Sequence, residues 1–136
     1  MTGKTPAYFN IHRGNALTAN VLPLLHEIRH ALEKLLHSGE ATVIDLRSIP
    51  LAPGEDEAIL DTLGAGEVQA RMDALGPSEI YETRYAGVWV VTHYNESEEM
   101  IGRFIEVTEI PAVLKAQRED VDQALQGLAE RLEQEN

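Results

Sequence analysis

The sequence predicts a two-layer α+β domain, an antiparallel meander sheet with helices packed on one of its faces. Three observations predict it. Two long segments carry apolar residues at helical steps, at residues 16–38 and from Ile110 to about residue 133. Between them lie four segments of β-branched and aromatic residues with an alternating pattern. The breaks separating those four are two to five residues long, which permits antiparallel neighbours and leaves no room for a crossover.

Residues 1–15 read as an irregular lead, because Gly3, Pro6 and Gly14 interrupt any period. In the first helix Leu17, Val21, Leu24, Leu25, Ile28, Leu32 and Leu35 recur at steps of three and four, and Gly39 supplies a left-handed close. Pro23 belongs near a helix start, which makes Asn20 the candidate cap and leaves residues 16–22 loosely attached. A strand follows at 41–46, then a connection holding Pro50 and Pro53. A short helix at 55–63 opens on Glu55, Asp56 and Glu57, whose charge complements the helix dipole. The meander strands fall at 67–75, 78–85, 88–94 and 100–108. Val113, Leu114, Val121, Leu125, Leu128 and Leu132 give the last helix its apolar side. At 136 residues the whole chain is expected to be one domain with one core.

Eleven Lys and Arg stand against 23 Asp and Glu, a net charge of 11 − 23 = −12. Phosphate neutralisation needs a clustered cationic surface, so nucleic acid is not an expected partner, and an anionic membrane surface would repel the chain. The acidic residues gather on the short helix, at Glu96–Glu99 and on the last helix, where they read as solvated charge. The absence of cysteine excludes disulfides, thiolate metal ligands and a cysteine nucleophile. With no apolar leader and no run of about 18 apolar residues, the expected location is the cytoplasm, without membrane insertion.

Two motifs resemble catalytic signatures. His26-Glu27-Ile28-Arg29-His30 matches H-E-x-x-H, in which histidines four apart bind zinc and the glutamate activates water. That pattern supports an alternative reading as a zinc-dependent hydrolase built on His26 and His30. At about 100° per residue, however, His26, His30 and His37 fall roughly 160–200° from the apolar arc, on the solvated side. A zinc protease also needs a third ligand in a walled cleft, and only His12 and His93 remain. Gly3-Lys4-Thr5 resembles the tail of a phosphate loop but has neither the upstream glycine nor the preceding strand. No cofactor, metal ligand set or catalytic residue is therefore expected.

The meander is more informative. Trp89, Val91 and His93 alternate with Val88, Val90, Thr92 and Tyr94, and the preceding strands alternate likewise. One consistent solution gathers the apolar sets under the helices and leaves Arg71, Asp73, Glu82, Arg84, Trp89 and His93 on an open face, mixing both charge signs. Tryptophan and arginine are the residue types that carry binding energy in interfaces, so Glu82, Arg84, Trp89 and His93 are the candidate partner-binding residues. The competing assignment makes Trp89 core. A small homo-oligomer, pairing through the sheet face or the last helix, is a further reading compatible with this one.

Two stretches carry a more specific signal. The first is Thr42-Val43-Ile44-Asp45-Leu46-Arg47-Ser48-Ile49-Pro50-Leu51 with Pro53-Gly54. The second joins Leu75-Gly76-Pro77-Ser78-Glu79-Ile80, Glu82-Thr83-Arg84, Gly87-Val88-Trp89-Val90-Val91-Thr92-His93-Tyr94-Asn95 and Phe104-Ile105-Glu106-Val107-Thr108-Glu109-Ile110-Pro111. Together they resemble the carboxy-terminal conserved region of the hydrogenase expression/formation proteins called HupH or HyaF, from about Leu24 to Val121. The resemblance implies a non-enzymatic, chaperone-like accessory role in maturing an uptake [NiFe] hydrogenase. It further implies that the partner is a hydrogenase subunit precursor, in particular the iron–sulfur small subunit. Family members are longer than this chain, which has room for one such domain, and the resemblance brings no catalytic residues with it.

Overall fold

The computed structural model describes residues 20–135, so the expected N-terminal lead, His12 and Gly3-Lys4-Thr5 lie outside the described residues. Helix α1 spans Val21–Ser38 and ends on Gly39 in the left-handed conformation, its N–H closing onto Leu35 O. Pro23 sits in the first turn, where an amide has no intrahelical acceptor to lose. Asn20 is the cap by position, but its side chain does not cap. Its Nδ2 instead donates to the Glu55 carboxylate at 3.2 Å and to Pro50 O at 3.1 Å, tying the start of α1 to the start of the next helix.

Strand β1, Thr42–Asp45, runs into a 3-10 turn at Leu46–Ser48 and then helix α2, Glu55–Leu63. The meander follows as β2 Gln69–Asp73, β3 Pro77–Glu82, β4 Val88–Tyr94 and β5 Met100–Val107. The five strands form one sheet in the order β1-β5-β4-β3-β2, antiparallel at every step. The predicted meander is thus present, and β1 completes it beside β5.

The helix side of the sheet is set by Ile44, Ile105, Val107 and Val88. They pack against Val21, Leu24, Ile28 and Ala31 of α1 and Ile59 and Leu63 of α2. A second, smaller apolar cluster lies on the other side: Ile80, Trp89 and Val91, with Ala70, Met72, Phe104 and Leu114 against them. One sheet therefore carries apolar residues on both faces, whereas the sequence pattern gathers them under the helices.

The C-terminal segment differs from expectation. Ala112–Leu114 form a separate 3-10 turn, and helix α3 begins only at Arg118, running to Gln134. Leu114 packs on the second cluster, while every residue of α3 is exposed, including Val121, Leu125, Leu128 and Leu132. The sheet face beneath α1 and α2 is already filled, so α1 and α2 form the packed layer and α3 stands apart from it.

Candidate partner-binding face

Strand register decides which side chains share a surface. Glu82 lies opposite Trp89, Ile80 opposite Val91 and Ser78 opposite His93. On the other side of β4, Trp89 faces Glu106, Val91 faces Phe104 and His93 faces Gly102. Glu82, Trp89 and His93 therefore share the face turned away from α1 and α2, as the alternation predicts. Arg71 and Asp73 do not join them: β2 pairs Ala70 with Ile80 and Met72 with Ser78, which sends Arg71 and Asp73 to the opposite side. There they pair with each other at 3.4 Å. Arg84 lies beyond the end of β3. Its N–H donates to Leu63 O at 3.0 Å and its side chain lies against Gly64, where an added Cβ would stand 2.6 Å from Nε. That places it at the end of α2 instead of beside Trp89.

Trp89 is 5% exposed, and its indole N–H donates to Thr108 O at 3.1 Å. It is therefore core, as the competing assignment has it, and lies beneath this face as its floor, with its one polar atom satisfied. Alternation can assign its side of the sheet but not its depth, since the cluster it belongs to also takes in Leu114 from the turn after β5.

Around that floor sit the polar groups. Glu82 accepts from the Gly87 N–H at 3.1 Å, closing the β3–β4 turn. His93 Nδ1 is 2.7 Å from Ser78 Oγ, and its ring stands edge-on to Phe104 with centroids 5.8 Å apart. Gly102 makes room for that ring pair, since a Cβ there would come within 3.1 Å of Phe104. Glu106, half-buried next to the floor, has its carboxyl pushed above the ordinary range by burial, an effect that His93 partly opposes. The Ser78–His93 pair resembles a nucleophile beside a base, but it lies across two adjacent strands of a sheet face that the described residues do not wall into a cleft. Phe104, Met72 and Ala70 remain partly exposed, and Val43 from β1 is 61% exposed on the same side. The result is an apolar, aromatic floor with a polar rim, the anatomy of a protein-binding patch.

The H-E-x-x-H segment falls as its angular position predicts. His26, Glu27 and His30 are exposed, opposite the buried Leu24, Ile28 and Ala31. Among the described residues, no group of three or more His, Asp or Glu side chains is placed to hold a metal ion. No helix among them is long and apolar enough to cross a membrane.

The comparisons with known proteins agree with this architecture. The family described as HupH hydrogenase expression protein, C-terminal conserved region, matches residues 18–134. The hydrogenase expression/formation protein HoxQ of Azotobacter vinelandii is 31% identical over 113 residues, 82% of this chain and 40% of that protein. HupH of Rhizobium leguminosarum bv. viciae is 34% identical over 101 residues, 74% of this chain and 36% of its own length. The chain thus spans about 40% or less of the length of these curated relatives. The solved structure of the hydrogenase expression protein HupH from Thiobacillus denitrificans superimposes with a TM-score of 0.81 at 41% identity, covering 85% of this chain and 96% of that one. A match from one end of the described fold to the other, with the same architecture in a solved relative, shows that this chain belongs to the HupH hydrogenase expression protein family through its C-terminal conserved region.

Proposed function

We propose that this chain is an accessory protein in the maturation of an uptake [NiFe] hydrogenase. In this reading it works in the cytoplasm as one domain, without turnover or cofactor, and binds a hydrogenase subunit precursor, in particular the iron–sulfur small subunit. The observation that carries the proposal is the second face of the sheet, where a partly exposed apolar strip of Ala70, Met72 and Phe104 lies around a buried tryptophan on the side that α1 and α2 do not cover. A precursor that has not yet closed around its clusters exposes apolar surface, and such a strip complements it. Glu82 and His93 supply the polar rim of the contact, Trp89 its floor, and Arg84 a neighbouring contact at the end of the sheet. The names of the relatives, hydrogenase expression and formation proteins, support the pathway.

The test is a pull-down of small-subunit precursor and, separately, large-subunit precursor from cells producing each alone. Recovery of the small-subunit precursor by the wild-type chain is expected, with reduced recovery by a Glu82→Lys/His93→Glu variant. Equal recovery by both chains would remove this face from the proposal. Recovery of neither precursor would remove the partner.

A further inference from the structure

We propose that α3 pairs with α3 of a second copy of this chain as a short antiparallel two-helix coiled coil. All of α3 is exposed, and Val121, Leu125, Leu128 and Leu132 are between 54% and 67% exposed. A lone helix of 17 residues is marginal in water, so its apolar stripe calls for a partner. The stripe advances by 4, 3 and 4 residues, the repeat of a coiled-coil seam.

The charges beside the seam select a second copy and set its direction. In an antiparallel pair the layers join Val121 to Leu132 of the second copy and Leu125 to Leu128. The same register continues outward to join Arg118 to Glu135 at both ends. A parallel pair would instead stack Arg118 on Arg118 and Glu135 on Glu135, and would align the two helix dipoles unfavourably. On the flanks, the antiparallel register sets Ala124 against Arg131 and Asp122 against Ala129, so no carboxylate meets another across the seam. Glu119, Asp120, Glu130 and Glu133 fall on the outer positions. An acidic chain can therefore meet its own copy here without bringing its acidic groups together. The pairing is isologous, and it leaves the sheet face of the proposed partner contact free.

Light scattering after size exclusion, across a concentration series, reads the pairing directly. A mass of twice the chain is expected for the wild type and the monomer mass for Leu125→Glu/Leu128→Glu. The Trp89 emission of that variant should be unchanged, because α3 contributes nothing to the cores. Arg118→Glu should weaken the dimer about tenfold, which is ~1.4 kcal/mol, and adding Glu135→Arg should restore it. Because the chain has no cysteine, Val121→Cys and Leu132→Cys chains can be mixed and oxidised, and a mixed disulfide is expected. A wild-type monomer throughout, a dimer that survives Leu125→Glu/Leu128→Glu, or failure of the charge exchange to restore pairing would overturn the proposal. So would disulfides confined to Val121→Cys with itself.

Discussion

Ile105→Ala tests the register on which the two-faced sheet depends. Ile105 is fully buried at the centre of the sheet, opposite Ile44 on one side and Val90 on the other. Truncation removes three carbons, worth ~2.4 kcal/mol at about 0.8 kcal/mol each. The flanking strands are fixed by ladder hydrogen bonds and cannot collapse into the space, so a cavity cost adds to this and brings the total to ~3–4 kcal/mol. Against a typical domain stability of about 5–15 kcal/mol, that is a large fraction. Val43→Thr, on the opposite face and 61% exposed, should stay within about 0.5 kcal/mol. Urea unfolding followed by the emission of the single tryptophan gives both values, with an unchanged denaturant slope expected. A slip of one residue in β1 or β5 would exchange the two faces. A cost below about 1 kcal/mol for Ile105→Ala, or an equal cost for Val43→Thr, would refute the register.

Two carboxylates should titrate with opposite signs. Glu55 accepts from the Ala52 N–H at 2.7 Å and from Asn20, which holds its carboxyl below the ordinary value of 4.5. Its folded form is therefore favoured above the unfolded value, and that contribution disappears as the pH falls through the lowered folded value. The stability difference between wild type and Glu55→Gln, from denaturation at a series of pH values, should be largest near neutrality and shrink below pH 4.5. Glu106 behaves in reverse. Burial raises its folded value, so its charged form opposes folding once the pH rises past the unfolded value. Glu106→Gln should make the protein slightly more stable at neutral pH and leave acid stability unchanged, measured by thermal unfolding at both pH values.

The meander is readable because short breaks and period-two alternation leave few alternatives. Trp89, Glu82 and His93 fall on one face for that reason. The depth of Trp89 is not readable from alternation, because the cluster it belongs to also takes in Leu114, which lies beyond the meander in a turn that periodicity assigns to the last helix. Arg84 continues the alternation of β3 in sequence, but the strand has already ended at Glu82 and the backbone turns toward Leu63. Asn20 illustrates a similar limit. Its position as a cap is a local property, whereas its preference for Glu55 comes from a contact 35 residues away. The apolar stripe of α3 is plain in the sequence, yet periodicity carries no information on what covers it.

The measurement closest to the central claim follows the single indole signal in a nitrogen–proton correlation spectrum as unlabelled small-subunit precursor is added. Trp89 Nε1 lies in the floor of the proposed contact face, hydrogen-bonded to Thr108 O. This signal and the amides of Glu82, His93 and Phe104 should shift or broaden, while those of His26 and His30 on the far side of α1 stay in place. An unmoved indole, or changes confined to the exposed side of α1, would contradict it.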